Sequence, residues 1–329
     1  MTMLKAEYDR RGPVAHESIR AVELAPSTLS RGQALVAVVA APINPSDLLT
    51  LTGEYGILPP LPAVGGSEGV GRVVELGPDA TGVAVGQLVL LPLEGGTWRT
   101  HVVADAQRLI ALPDGADPKQ LAMLRVNPPT AALLLSELVE LGAGDWVIQN
   151  VANSAVGSYL VQLAKLRGYR TVNVVRREAA VAGVKALGGD VVLVDGDDLH
   201  QRVKEAVAGA PIKLGIDAVG GSATERLGDC LTESATLVNY GRMSGESCVV
   251  STRATIFKDV TLRGFWLARW FRTATRETQR TLYGELTGLI ASGKLHAPIQ
   301  ATYPVEKIKD AIIAASAGER NGKILIVPT

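Results

Sequence analysis

Cysteine is almost absent: Cys230 and Cys248 are the only two in 329 residues. Two thiols cannot build a disulfide framework or a cysteine zinc cluster, and such sparse usage suits a reducing compartment. Histidine is scarce too, and His16, His101, His200 and His296 are scattered, with none four residues from another, so no helical metal-binding pair exists. The charges cancel, 33 basic against 33 acidic residues, which leaves no electrostatic footprint for nucleic acid or an anionic membrane. No apolar run reaches the roughly 18–20 residues needed to span a bilayer. The start, Met1 to Arg11, has no apolar core of signal-peptide length. Together these absences predict a soluble cytoplasmic protein with no membrane insertion, whose partners are small molecules.

What is present is a nucleotide signature. An apolar strand, Trp146 to Val151, runs into the small residues Ala152, Asn153, Ser154, Ala155 and Val156, then Gly157 and an apolar-periodic segment to Leu166. A helix start presents unpaired N–H groups and the positive end of its dipole, so a pyrophosphate is stabilised there if the backbone can approach closely. The turn is a degenerate glycine motif, Ala152-x-Ser154-x-x-Gly157. The second strand, Thr171 to Val175, ends on Arg176 and Arg177 rather than on the acidic residue that would accept from a free ribose 2′-hydroxyl. A guanidinium fork binds phosphate, so the pattern predicts NADPH rather than NADH.

The first third is rich in short β-branched segments separated by glycine and proline. Ala34 to Ala40, Gly71 to Leu76, Gln87 to Leu91 and Thr100 to Val103 read as strands of a compact, mainly antiparallel domain. From about Gln120 strand and helix alternate, with strands at 146–151, 171–175, 191–194, 214–219 and 235–240 and helices at 155–168, 178–187, 198–208 and 222–231. That alternation implies a doubly wound parallel sheet with helices on both faces. A helical period follows at Thr275 to Ser292, and Gly322 to Val327 reads as a strand returning to the first domain. Asp195-Gly196-Asp197-Asp198, tempting as a metal loop, reads as helix N-capping.

This organisation resembles the medium-chain dehydrogenase/reductase superfamily over essentially the whole chain. The resemblance implies a GroES-like mainly-β catalytic domain at 1–121 and 298–329 and a Rossmann domain at 122–297, an α/β fold overall. In zinc-dependent members a catalytic cysteine falls where Asn44 stands and a histidine where Ser67 stands, and a four-cysteine lobe is expected near 80–110. None of these is present, so the resemblance is to the zinc-independent branch. Ile43-Asn44-Pro45-Ser46-Asp47, Gly53-Glu54-Tyr55-Gly56, Leu61 to Gly69, Arg125 to Ala131 and Ile256 to Leu267 are similar to the 2-enoyl thioester reductases of fatty-acid synthesis. Quinone reductases share the Asn-Pro pair, but Gly-x-Tyr-Gly with Gly-Phe-Trp-Leu is more specific. Eukaryotic members carry a mitochondrial transit segment before this domain, and none is read here, which implies a bacterial or cytosolic relative.

The resemblance further implies that Tyr55 is catalytic, donating to the thioester carbonyl or supplying a proton. It puts Asn44 and Ser46 around the nicotinamide, and Asn127 and Thr130 against its ribose and ring. Tyr240 and Gly241 close a strand at the carboxyl edge where cofactors lie. Phe265, Trp266 and Leu267 run along the nicotinamide, and Lys323 matches a lysine that approaches the cofactor. Leu58, Trp266 and Trp270 join Tyr55 as acyl-pocket walls, Arg269 and Arg272 offer a basic rim for CoA phosphates or acyl carrier protein, and relatives pair as homodimers, with Val249-Val250 and Thr261-Leu262 as edge candidates. The rival readings are a quinone or alkenal reductase of the same fold and a non-catalytic NADPH-binding protein.

Overall fold

The computed structural model describes residues 2–93 and 96–328. The chain forms two compact units, Met1–Val126 with Tyr283–Thr329, and Asn127–Leu282. Within the first of them Arg125 and Tyr283 belong together: the Tyr283 hydroxyl donates to the Arg125 carbonyl at 3.1 Å, and the Arg125 guanidinium lies 5.8 Å from the ring centroid.

The first unit is built on Gln33–Pro42, whose alternating apolar residues bury Ala34, Val36 and Val38. It pairs antiparallel with Val70–Leu76 and with His101–Asp105. The C-terminal strand Lys323–Ile326 returns to it, Leu325 opposite Pro42, and also pairs parallel with Ile299–Tyr303. The expected strand at Gln87–Leu91 is realised as Leu88–Leu90. A small sheet of Leu4–Tyr8, Arg20–Glu23 and Ala63–Val64 has no counterpart in the sequence reading, since charged residues interrupt its short apolar positions. Trp98 is fully buried in this unit. A side chain on Gly65 would place its Cβ 2.3 Å from the Trp98 ring, so the glycine is required by close approach.

The second unit is a six-stranded parallel sheet in the order Val191–Val194, Arg170–Val175, Trp146–Gln149, Ile212–Asp217, Thr236–Asn239, Thr261–Gly264. Counted along the chain this is the 3-2-1-4-5-6 order of the Rossmann fold. Its central strands are buried on both faces, which is why they read as continuous apolar runs. The order reverses between Trp146–Gln149 and Ile212–Asp217, so the ligand crevice of such a sheet lies beyond Gln149 and Asp217. The expected helix at 178–187 begins as a 3-10 turn, Glu178–Ala180, and continues as Val181–Ala186.

Candidate functional site

The segment read from the sequence as a phosphate turn is a capped helix start in the second unit. Ser154 caps helix Ala155–Leu166, its hydroxyl accepting from the Gly157 N–H at 3.1 Å. Asn153 precedes the cap, and Ala155 and Val156 lie in the first turn, where helical N–H groups lack intrahelical partners. A Cβ on Gly157 would stand 2.6 Å from the Ala152 carbonyl oxygen, so only glycine lets the helix pack this close to the strand end. Val151, a β-branched residue, is held at φ 50° as the chain leaves the strand. Such a conformation is strained and is found where the surroundings impose it.

The carboxyl ends of the central strands are joined by Asp217, which is fully buried. Asn150 Nδ2 donates to its Oδ1 at 2.6 Å, and Thr224 Oγ1 and Asn239 Nδ2 donate to its Oδ2 at 2.7 and 2.8 Å. Sequence reasoning missed this hub; the signal was an acidic residue closing an apolar strand. Tyr240 follows Asn239, and burial raises its phenol above the ordinary range while a hydrogen bond to Ser154 opposes that shift. The network thereby brings the fourth and fifth strands up to the phosphate turn. Gly241 packs on Ala218, whose carbonyl oxygen a Cβ would meet at 2.8 Å.

Arg176 and Arg177 stand immediately after strand Arg170–Val175. Arg176, Asp195 and Arg226 line one cavity of about 380 Å³. Asp198 of the acidic run takes the expected N-cap position of helix Leu199–Ala206, but no side-chain cap bond forms. Asp195 forms a two-point pair with Arg226, at 2.8 and 2.6 Å, and Asp198 pairs with Arg202 at 2.7 Å without a side-chain cap bond. Guanidinium partners outcompete the exposed helix N–H groups because both members are charged. Among the described residues no group of three His, Cys, Asp or Glu side chains could hold a metal ion. These features fit a phosphorylated dinucleotide: a tight glycine turn at a helix start, a crevice, and an arginine at its edge.

In the first unit the structure brings Asn44 and Lys323 into contact and adds Glu68, which sequence reasoning missed because a carboxylate among glycines reads as a loop residue. The Asn44 amide is held at both ends, its Nδ2 donating to Glu68 Oε1 at 2.7 Å and its Oδ1 accepting from Lys323 Nζ. Lys323 also donates to the Ile43 carbonyl at 2.9 Å, and Glu68 Oε2 accepts from the Arg125 and Val126 N–H groups at 3.0 Å each. The helix Pro45–Thr52 is capped through Asp47, whose Oδ2 accepts from the Asn44 N–H at 2.7 Å. Burial pushes Glu68 up to about 7, with the Lys323 ammonium pulling it back down. The same burial pushes Lys323 down to about 8 and Asp47 up to about 6. Lys323 is 5% exposed, so it is an internal cation rather than a solvated one.

Tyr55 is half-buried just past the end of that helix, where Gly53 turns the chain at φ 89° and the Tyr55 N–H reaches the Leu49 carbonyl at 3.1 Å. Leu58 is exposed three residues on. In the second unit Asn127 and Thr130 are buried in helix Asn127–Leu134, which packs on helix Ala155–Leu166. Phe265 and Trp266 follow the edge strand, and Leu267 begins helix Leu267–Thr273. Trp270 and Phe271 meet edge to face at 5.4 Å, and the Arg272 guanidinium lies 5.2 Å from the Trp266 ring centroid. No residue of that helix is buried, while Arg269 and Arg272 are exposed beside the aromatics.

A GroES-like β unit and a Rossmann unit define a medium-chain dehydrogenase/reductase. Residues 30–114 match the family described as alcohol dehydrogenase GroES-like domain, and residues 155–282 that described as zinc-binding dehydrogenase. The chain is 37% identical to the mitochondrial enoyl-[acyl-carrier-protein] reductase of Rattus norvegicus, over 85% of this chain and 77% of the relative. It is 39% identical to the protein of that name from Arabidopsis thaliana, over 84% and 75%. Within the superfamily, the chain belongs to the family of these enoyl-[acyl-carrier-protein] reductases. Among solved structures, the Etr1p/NADP/crotonyl-CoA complex superposes with TM-score 0.90 at 26% identity, over 99% of this chain and 100% of that one. The mitochondrial 2-enoyl thioester reductase Etr1p/Etr2p heterodimer from Candida tropicalis gives 0.88 at 26% with the same coverage. A proposed NADPH:quinone reductase from Bacillus thuringiensis gives 0.90 at 25%, each chain fully covered.

These names correct the expected location. The relatives are mitochondrial, which points away from the cytoplasm. The expectation rested on sparse cysteine, on the lack of a signal-peptide core or membrane-length apolar run, and on no transit segment being read, and the first two kinds of feature report on redox environment and membrane insertion rather than on compartment.

Proposed function

We propose that the protein reduces the α,β double bond of trans-2-enoyl thioesters with NADPH, without a metal. The observation that carries the reading is the pairing of a phosphate turn with arginines at the second strand end, in a chain whose relatives bear the name of this reaction. NADPH supplies the hydride that goes to Cβ. Charge then develops on the thioester oxygen and a proton must reach Cα, so hydrogen-bond donors have to do what a Lewis acid does elsewhere. Tyr55 is the donor in this reading. Asn44, its amide fixed between Lys323 and Glu68, is held in one orientation and is the nicotinamide residue of the first unit in this reading. In this reading Asn127, Thr130, Phe265, Trp266 and Leu267 of the second unit serve the nicotinamide and Trp270 the acyl chain, and in the first unit Ser46 and Leu58 take those same two roles.

Arg269 and Arg272, exposed and basic, suit the phosphates of CoA or an acidic acyl carrier protein. A homodimer through the edge strand Thr261–Gly264 is supported by its exposed Leu262 and by exposed Val249, both apolar, and the Candida heterodimer supports oligomerisation without fixing that the partner is a second copy. The quinone reductase reading rests on the Bacillus structure and predicts turnover without a thioester.

Cofactor choice is tested at Arg176 and Arg177. Replacing both by Ala weakens NADPH binding by about tenfold or more, since each charge-assisted hydrogen bond contributes roughly 1.5–3 kcal/mol. NADH binding stays nearly unchanged. An unaltered NADPH/NADH affinity ratio, read by dihydronicotinamide fluorescence, removes the arginines from phosphate recognition.

A further inference from the structure

The cavity beside Arg176 contains more than a phosphate ligand requires. Arg226 and three carboxylates, Asp195, Asp197 and Glu246, line it as well. Two arginines against three acids make the cavity as a whole unsuited to an anion, so phosphate recognition is confined to the Arg176 edge. Arg226 is held rigidly in its own plane. Its Nε and Nη2 are forked onto the Asp195 carboxylate at 2.8 and 2.6 Å, and its Nη1 donates to Ser222 Oγ at 3.0 Å. Three of its five N–H groups are therefore committed and its charge is neutralised. What such a side chain offers a ligand is its flat face, which stacks on aromatic rings.

We infer that Arg226, pinned by Asp195, is the stacking platform for the adenine ring of the cofactor, and that Arg176 rather than Arg226 reads the 2′-phosphate. The inference rests on the dinucleotide reading above and deepens it by dividing the work between two arginines. Val219 and Ala223 give the cavity an apolar wall suited to the same ring. The carboxylates suit the hydrogen-bond donors that the adenosine of NADPH retains, its amino group and its ribose 3′-hydroxyl. Asp195 is a positioning residue, acting through Arg226.

The test measures binding of three reduced cofactors by fluorescence, without thioester, so it does not depend on the substrate assignment. Arg226→Ala weakens NADPH and NADH alike, by about tenfold, the order observed when one stacked base loses its platform. Arg226→Lys, which keeps the charge and loses the plane, behaves like the Ala variant. Reduced nicotinamide mononucleotide, which has no adenine, binds both variants as it binds the parent, and that also establishes that they are folded. A loss confined to NADPH makes Arg226 a phosphate ligand and overturns the inference. So does an unchanged affinity for both dinucleotides, or a parallel loss for the mononucleotide. Failure of the parent to bind any dinucleotide would instead overturn the cofactor assignment itself.

Discussion

Tyr55→Phe lowers kcat on a trans-2-enoyl thioester by about 10²–10³-fold, the effect of removing one preorganised donor to a developing oxyanion. The substitution keeps the half-buried ring and deletes only the hydroxyl. A donor that binds the transition state more strongly than the ground state appears in kcat and in kcat/KM together. NADPH affinity is unchanged in the variant, because the cofactor's phosphate turn lies in residues 152–157. Steady-state kinetics with titrated cofactor separate the two quantities. If kcat is retained and only KM rises, Tyr55 is a pocket wall.

Lys323→Met has the largest expected effect on stability. It removes the ammonium from a buried cluster that holds the Glu68 and Asp47 carboxylates, both nearly inaccessible to water. Breaking a buried pair by deleting one partner costs ~3–5 kcal/mol, because the remaining charge is left uncompensated. Against a total of ~5–15 kcal/mol for a typical native protein, that moves the urea midpoint visibly. Adding Glu68→Gln to the Met variant recovers part of the loss, since the amide can still accept from the Arg125 and Val126 N–H groups without carrying charge. A Met variant that unfolds at the parent midpoint would mean the cluster does not depend on Lys323.

The parallel sheet was legible because its central strands are buried on both faces and so appear as short apolar runs between helical periods. The place of Arg176 and Arg177 was legible for a related reason: the strand fixes where its last residue falls. Glu68 and Arg226 were not. Lys323 meets Asn44 across 279 residues of chain, and Arg226 meets Asp195 across 31. Periodicity reports which face a residue takes and says nothing about which distant residue it meets. The short strands Leu4–Tyr8 and Arg20–Glu23 escaped for a different reason, since cross-strand pairing rather than local pattern defines them.

The measurement closest to the central claim is oxidation of NADPH by the purified chain, with crotonyl-CoA in one arm and a simple quinone in the other. The account predicts turnover of crotonyl-CoA with NADPH, far slower turnover with NADH, and a much lower kcat/KM for the quinone. Efficient quinone reduction with no consumption of crotonyl-CoA would contradict it.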